Sequence, residues 1–401
     1  LKDRKKHDTS ILIKIFESVM KFLFLSCFAL ASILIVLQSC SDDSSTTPSS
    51  PVAVPVALVY ARTGQQTDLG ESILYGATLA AEEINTANAL PGMILRLTAI
   101  DDQSSITGAQ LAFRTAVDTV RAVAVLGPTT STLAFAADSI AVAAGISVLA
   151  VSNSAEGITG IGPSVFRVGL PESVIIPAIV NTTQPVLGYT SCAIVYTMDD
   201  SYSMNAKALF EEALTKKGVS IPVKIPITLA STEFSEAVNN IAAANVQAII
   251  LCTQLNEGAR FMIEARGLGI PQSVPFIASS GIGGTNIAGV AGSAAEGLIS
   301  GSGWLDKLQT PDNAGFVSRY TSRFGKAPTS TSAQSFAAIC ILANALKSVK
   351  SVSASSLREK LAQTTAFQTI LGNITYTASS REPGYTPVIK VLHNGVFELF
   401  N

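Results

Sequence analysis

A chain of 401 residues, 48% hydrophobic and 14% charged, can bury a large core and by length alone holds about two or three domains. Its formal net charge of −2 leaves no basic footprint and speaks against nucleic acid as a partner. Two histidines, His7 and His393, and cysteines without a CxxC spacing offer no metal-ligand set, so no metal or other cofactor is expected.

The first 39 residues differ in kind from the rest. From Met20 the chain reads MKFLFLSCFALASILIVLQSC: one Lys, an apolar stretch over 22–37, then small residues and Cys40. A charged start, an apolar middle and a small-residue end spell a secretory signal. The apolar stretch is short for a spanning helix, which needs about 20 residues. Residues 1–19, with LKDRKK and no initial Met, read as an upstream start artefact or an extended n-region. Leu37-Gln38-Ser39-Cys40 resembles a bacterial lipobox, in which the cysteine becomes the lipidated first residue; a plain signal or an uncleaved anchor is the alternative. The polar SDDSSTTPSSP that follows buries nothing, so 40–51 is read as a flexible tether. The expected location is the cell envelope, periplasmic or surface-exposed, held to the membrane only by a lipid on Cys40.

The folded body begins near Val52. A short apolar strand at 56–59 precedes a helix over 71–85, whose Ile73, Ala77, Ala80 and Ile84 share one face. A strand at 94–100, a helix at 107–120, a strand at 122–126, a helix at 131–144 and a strand at 146–150 follow. The alternation then repeats: strand 192–196, helix 202–217, extended 219–227, helix 234–244, extended 247–252, helix 256–268 and extended 275–278. Helices are expected at 312–324, 332–349 and 354–363. Strands are expected at 372–376 and over 386–400, the latter turning at Asn394-Gly395. Strands alternating with helices of this length imply βαβ units, hence two open α/β lobes with parallel sheets. Cys192 and Cys252 fall on apolar strands and read as buried thiols, a disulfide between them being the alternative.

One junction is unusual. In AVLGPTTSTLAFAA (124–137) four hydroxyl residues, Thr129 to Thr132, stand where a strand hands over to a helix. An N-cap needs one hydroxyl. In open parallel sheets ligands bind outside the carboxyl ends of the strands, and a helix N-terminus there favours an anion. Ser152, Asn153 and Ser154 follow the next strand, so two polar loops would face one crevice.

These stretches also carry a family resemblance. GESILYGATLAAEEIN (70–85), DDQSS (101–105), LGPTTS (126–131), VLAVSNSAE (148–156), VYTMDDSYSMNAKALFEEALTKKG (195–218), EARGLGI (264–270), AEGL (295–298) and PGYTPVIKVLHNG (383–395) stand in the order and spacing of the leucine/isoleucine/valine-binding type of periplasmic solute-binding protein. The resemblance runs from about residue 56 to 397. It implies two α/β lobes joined by three hinge crossings near Gly169, Gly301 and Gly372. Lobe one would be 52–168 plus 302–371, lobe two 169–301 plus 372–401. It implies a monomer that closes on an amino acid or related small carboxylate and delivers it to ABC permease subunits. By motif position, Ser131 would hold the ligand carboxylate, Ser152 and Ser154 would contact carboxylate and ammonium, and Tyr202 would close over the ligand.

Two positions depart from the pattern. Leu69 stands where the family often has an aromatic residue, and Ser280 where amino-acid binders place an acid for the ammonium. A buried ammonium without a carboxylate loses several kcal/mol of compensation. Asp200 or Glu257 could substitute, and Gln254 could supply an amide; the plain expectation for all three is a solvated loop residue. Solvated or capping roles are likewise expected for Asp101-Asp102 and Asp199-Asp200.

An enzyme is the rival class. GxSxG, HExxH and a Walker A loop are all missing from the sequence, and His393 lies in the LHNG turn away from the strand-end loops. No catalytic activity is therefore expected. A ligand-sensing receptor module of the same fold, reporting to a signalling partner, is the alternative function; a purely structural lipoprotein would need no closing crevice.

Overall fold

The computed structural model describes Met20 and residues 50–283, 286–377 and 379–401. Apart from Met20, the signal-like stretch and Cys40 lie outside these residues. Among them no helix is long and apolar enough to cross a membrane.

Residues from Pro51 onward fold as one unit built on two main sheets. The first lobe opens with β1 (Val52–Tyr60), α1 (Thr67–Thr86), β2 (Met93–Asp101), α2 (Ile106–Asp118), β3 (Ala124–Leu126), α3 (Ser131–Ala143), β4 (Ser147–Ala150) and β5 (Val165–Arg167). Its five strands are all parallel, in the order β2-β1-β3-β4-β5. Apolar runs such as Val54–Val59 are covered by helices on both faces, which a parallel sheet requires.

The second lobe comprises α4 (Glu172–Leu187), β6 (Ser191–Thr197), α5 (Ser201–Lys216), β7 (Ser220–Ile227), α6 (Ser235–Ala243), β8 (Ala248–Cys252), α7 (Leu255–Gly267), β9 (Phe276–Ala278), the short α8 (Ser280–Gly283) and α9 (Ile287–Ala291), and β10 (Ile299–Ser302). The chain continues through α10 (Asn313–Phe324), α11 (Ser330–Leu346), α12 (Ala354–Ala362) and a small hairpin, β11 (Phe367–Thr369) and β12 (Gly372–Ile374). It ends with β13 (Val388–His393) and β14 (Val396–Leu399), which join the second sheet. That sheet runs β14-β13-β10-β9-β8-β6-β7. It is parallel except at one edge, where β13 pairs antiparallel with both β10 and β14. Asn394 and Gly395, at φ 51° and 78°, make the expected two-residue turn.

The largest departure from the sequence reading is α4, which was not expected. Pro177 and Pro185 lie inside it, and each removes a helix hydrogen bond at a cost of about 3 kcal/mol. Burial decides the outcome. Ile175, Ile176, Ile179 and Val180 are at most 1% exposed, and each contributes about 1.5–3 kcal/mol by leaving water. Strands β5, β10 and β11 also went unread, being only three or four residues long. Cys192, Cys252 and Cys340 are free. Cys192 pairs with Ala248 and Cys252 with Tyr196 along the same ladder, so the two thiols sit four residues out of register, roughly 13 Å apart along the strands.

Helix α11 of the first lobe packs closely on α1. Gly76 makes this possible: a Cβ there would stand 2.1 Å from the Ser332 carbonyl oxygen. The packing brings the start of α11, with Ser330 and Thr331, to the carboxyl ends of the first sheet.

Candidate functional site

β3 and β4 are neighbours in the first sheet, so the loops leaving their carboxyl ends lie side by side. Gly127 lets the first loop turn over β1. Its φ is +113°, and a Cβ would stand 2.0 Å from the Val59 carbonyl oxygen. The four hydroxyls that follow have four separate tasks. Thr129 donates to Asp102 Oδ2 at 2.6 Å and accepts from the Ala61 N–H at 2.6 Å. Thr130 is the N-cap of α3, accepting from Leu133 N–H at 3.4 Å. Ser131 Oγ accepts from the Ala155 N–H at 3.2 Å, which ties the two loops together and leaves its own proton uncommitted. Thr132 crosses to the second lobe: it donates to Asp200 Oδ1 at 2.6 Å and accepts from Ser201 N–H at 2.9 Å. The N–H groups of Ser131 and Thr132, in the first turn of α3, have no intrahelical acceptor.

The second loop is held from beneath by Arg167, 1% exposed at the end of β5. Its guanidinium donates to the carbonyls of Asn153 at 2.5 Å and Ala155 at 2.8 Å, and pairs with Glu382 at 2.6 Å. Ser152 donates to the Thr129 carbonyl at 2.7 Å, and Ser154 to Glu172 at 3.2 Å.

From the second lobe, Tyr202 enters on the first turn of α5. Its hydroxyl donates to Ser279 Oγ at 2.7 Å and accepts from Gly281 N–H at 2.5 Å. Burial pushes this phenol well above its usual pKa. Gln254, the N-cap of α7, donates through Nε2 to Asp200 at 3.1 Å. Ser280 donates to Glu172 through both its hydroxyl and its N–H.

These side chains enclose one cleft of about 550 Å³ of atom-free space, mouth included. Ser131, Ser152, Ser154, Tyr202, Leu69, Gln254 and Ser280, the seven residues singled out in the sequence, all line it. Leu69, Val151, Leu170 and Ile175 give it an apolar flank, while Ser302, Ser330, Thr331 and Gln334 add polar groups. The last four were missed. TSTS at 329–332 repeats the hydroxyl-rich helix start of 129–132, and that likeness was the available signal.

The expectation of solvated residues fails at Asp200, Gln254 and Glu257, while the capping role also expected for Asp200 is met. Asp200, Gln254 and Glu257 are 3%, 5% and 1% exposed. Each sits at a helix N-terminus, where backbone N–H groups offset the burial. Asp200 caps α5 by accepting from Ser203 N–H at 3.1 Å. Glu257 closes the capping box of α7 and accepts from Thr197 at 2.9 Å. Both carboxylates are thus occupied. Asp102 is also fully buried, under Thr129, and burial raises its pKa against those hydrogen bonds.

The acid that sequence reading overlooked is Glu172, on the unread α4. It is fully buried and touches two cleft-lining serines, one from each lobe. Burial raises its pKa, while the hydroxyls of Ser280 and Ser154 hold it down. Further contacts between the lobes run from Glu156 N–H to Asn205 Oδ1 at 3.2 Å and from Asn256 Nδ2 to the Gln65 carbonyl at 2.5 Å. Among the described residues no group of three or more His, Cys, Asp or Glu could hold a metal.

A family model described as periplasmic binding protein matches residues 53–386. Solved structures with this fold include a leucine binding protein, LivK, from Thermotoga maritima, 22% identical, with a TM-score of 0.81 over 87% of this chain and 98% of that one. Another is the branched-chain amino acid transporter substrate binding protein LivJ from Streptococcus pneumoniae in complex with isoleucine, also 22% identical, with a TM-score of 0.81 and coverage of 87% and 98%. A third is a solute binding protein of an ABC transporter from R. palustris in complex with benzoate, 20% identical, with a TM-score of 0.79 and coverage of 87% and 96%. No curated protein matches the chain.

Proposed function

Since the chain belongs to the periplasmic binding protein family, we propose that its cleft captures a small carboxylate-bearing solute, an amino acid or a related organic acid, and delivers it to the permease subunits of an ABC importer. The observation that carries this reading is the donor pole at the start of α3. The N–H and hydroxyl of Ser131 and the dipole of α3 stand at one end of a cleft with an apolar flank. The ligands named for LivJ and the R. palustris protein, isoleucine and benzoate, both pair a carboxylate with an apolar body.

Capture is read as closure of the two lobes about crossings near Gly169, Gly301 and Gly372, with lobe one at 52–168 plus 302–371 and lobe two at 169–301 plus 372–401. Contacts such as Thr132 to Asp200 would form as the lobes meet. The protein is read as a monomeric binder rather than a catalyst, tethered at the envelope by a lipid on Cys40. Mass spectrometry of the small molecule that co-purifies, followed by calorimetry with that compound, tests the reading. A carboxylate-bearing solute bound with a stoichiometry of one is expected. A ligand without a carboxylate, or no saturable ligand, overturns it.

A further inference from the structure

A second and larger cavity adjoins the cleft, with about 1410 Å³ of atom-free space, mouth included. The two linings have only Ser330 in common. The walls of the second come from pieces of chain far apart in sequence: the start of α1, the segment after β10 with Trp304, the loop into α11, and the β13-β14 hairpin with Lys390, Val396 and Phe397. The Trp304 indole N–H is taken by Asn313 and the Tyr320 hydroxyl pairs with Ser332, so both rings offer this space apolar surface.

Lys390 is out of place in such a wall. It stands within β13, between Ser300 of β10 and Leu399 of β14, and is 4% exposed. A buried ammonium is ordinarily paired. Among the described residues this one has no hydrogen-bond or ion-pair partner. Its contact is the Phe397 ring, 4.1 Å from Nζ to the centre, which returns part of the lost hydration. Burial accordingly lowers its pKa, and Asp306 is the charge that opposes the shift. The other charges around the cavity are accounted for. Glu71 and Lys326 pair at 2.5 Å, Lys307 and Glu398 pair on the surface at 3.5 Å, and Asp68 and Asp306 are exposed. A buried apolar side chain would hold this position at less cost in stability. A lone cation in an aromatic wall, open to a cavity, is instead what an anion with an apolar body requires.

We propose that this cavity is a second ligand site, which takes a small organic monoanion with its charged head on the Lys390 ammonium and its apolar body against Phe397 and Trp304. The exposed carboxylates of Asp68 and Asp306 also border the cavity and disfavour a second negative charge. The site is separate from the cleft and does not depend on what the cleft binds.

The test uses the full chain in detergent solution, hexanoate as the probe, and calorimetry. Ser131→Ala marks the cleft and Lys390→Met the cavity. Hexanoate should show a saturable binding event that persists in Ser131→Ala and weakens about ten- to a hundredfold in Lys390→Met, the worth of one charge-assisted hydrogen bond. Lys390→Met removes a buried charge and should fold at least as well as the parent. Lys390→Arg keeps the charge and should retain binding within about tenfold. A bound anion holds the proton on Lys390, so wild-type affinity should fall by up to about tenfold from pH 8 to pH 9; it should stay flat in Lys390→Arg, whose guanidinium is always charged. Hexanedioate should bind at least about tenfold more weakly than hexanoate, and equal binding of the two would overturn the monoanion assignment. Hexanoate binding that is lost in Ser131→Ala and kept in Lys390→Met would place the probe in the cleft and overturn the proposal. Absence of saturable binding, or a wild-type affinity that does not change with pH, would overturn it too. None of these results touches the capture reading, which is tested separately with the co-purifying solute.

Discussion

Thr132→Val should weaken ligand binding about ten- to a hundredfold while leaving the ligand-free protein almost as stable as before. Valine keeps the shape of threonine and removes the hydroxyl. Two bonds between the lobes go with it, the 2.6 Å donation to the Asp200 carboxylate and the 2.9 Å acceptance from the Ser201 N–H. A hydrogen bond to a charged group is worth about 1.5–3 kcal/mol net. The Ser201 N–H reaches water instead; Asp200 keeps Ser203 and Gln254 on Oδ2, while its Oδ1 loses the Thr132 hydroxyl, which puts the loss towards the upper end of that range. At 1.4 kcal/mol per tenfold the loss is roughly one to two orders of magnitude in Kd. If the clasp forms only when the lobes close, that loss falls on the closed state alone, and binding bears it because the ligand is held there. Calorimetry with the co-purifying solute gives the affinity, and small-angle scattering with and without it gives the compaction. A folded Thr132→Val protein with unchanged affinity would refute the clasp. A melting point several degrees lower without ligand would show instead that the contact is permanent.

Ser131→Ala should cost about 1.5–3 kcal/mol of binding by removing a charge-assisted donor; it also leaves the buried Ala155 N–H without its acceptor, so the melting temperature should fall as well, and normal affinity with a lowered melting point would reverse that assignment. Lys390 is 4% exposed, with its ammonium 4.1 Å from the Phe397 ring centre, and burial holds its pKa down to about 7. The unfolded chain keeps this proton up to about pH 10.4, so between these values unfolding takes up a proton and stability rises with pH. Below about pH 7 the group is charged in both states and the penalty is complete. Lys390→Met should therefore stabilise the protein by up to about 4–5 kcal/mol at pH 6, at roughly 1.4 kcal/mol per pKa unit, and the gain should vanish near pH 10.5; denaturant titrations at pH 6, 8 and 10 showing a constant difference would contradict it. Cys40→Ser, expressed in a bacterium, should lose fatty-acid labelling and leave the membrane fraction; continued membrane association would point to an uncleaved anchor.

Periodicity and punctuation made much of this molecule legible. Apolar runs of strand length alternating with one-sided helices foretold two parallel α/β lobes, because a strand covered on both faces must be apolar throughout and a helix on one side only. The pattern also located the crevice. Strand ends fall at predictable places in such sheets, and the hydroxyls of 129–132 and 152–154 stood at two of them. These are local facts, encoded within a few residues of where they act.

Tertiary structure alone decided the rest, and each case turns on partners far apart in the chain. Helix α4 exists despite Pro177 and Pro185 because its isoleucines are buried by the second sheet, a gain invisible to local propensity. Glu172 reaches Ser280 across 108 positions, and Thr132 reaches Asp200 across 68. Ser330 and Thr331 line the cleft because Gly76 lets α11 approach α1. Asp200, Gln254 and Glu257 look like solvated loop residues in sequence and are buried in the fold, because their helix N-termini meet at the junction of the lobes. A side chain's hydrogen-bonding character was in the sequence; which way its one proton points is set by the groups that folding brings beside it.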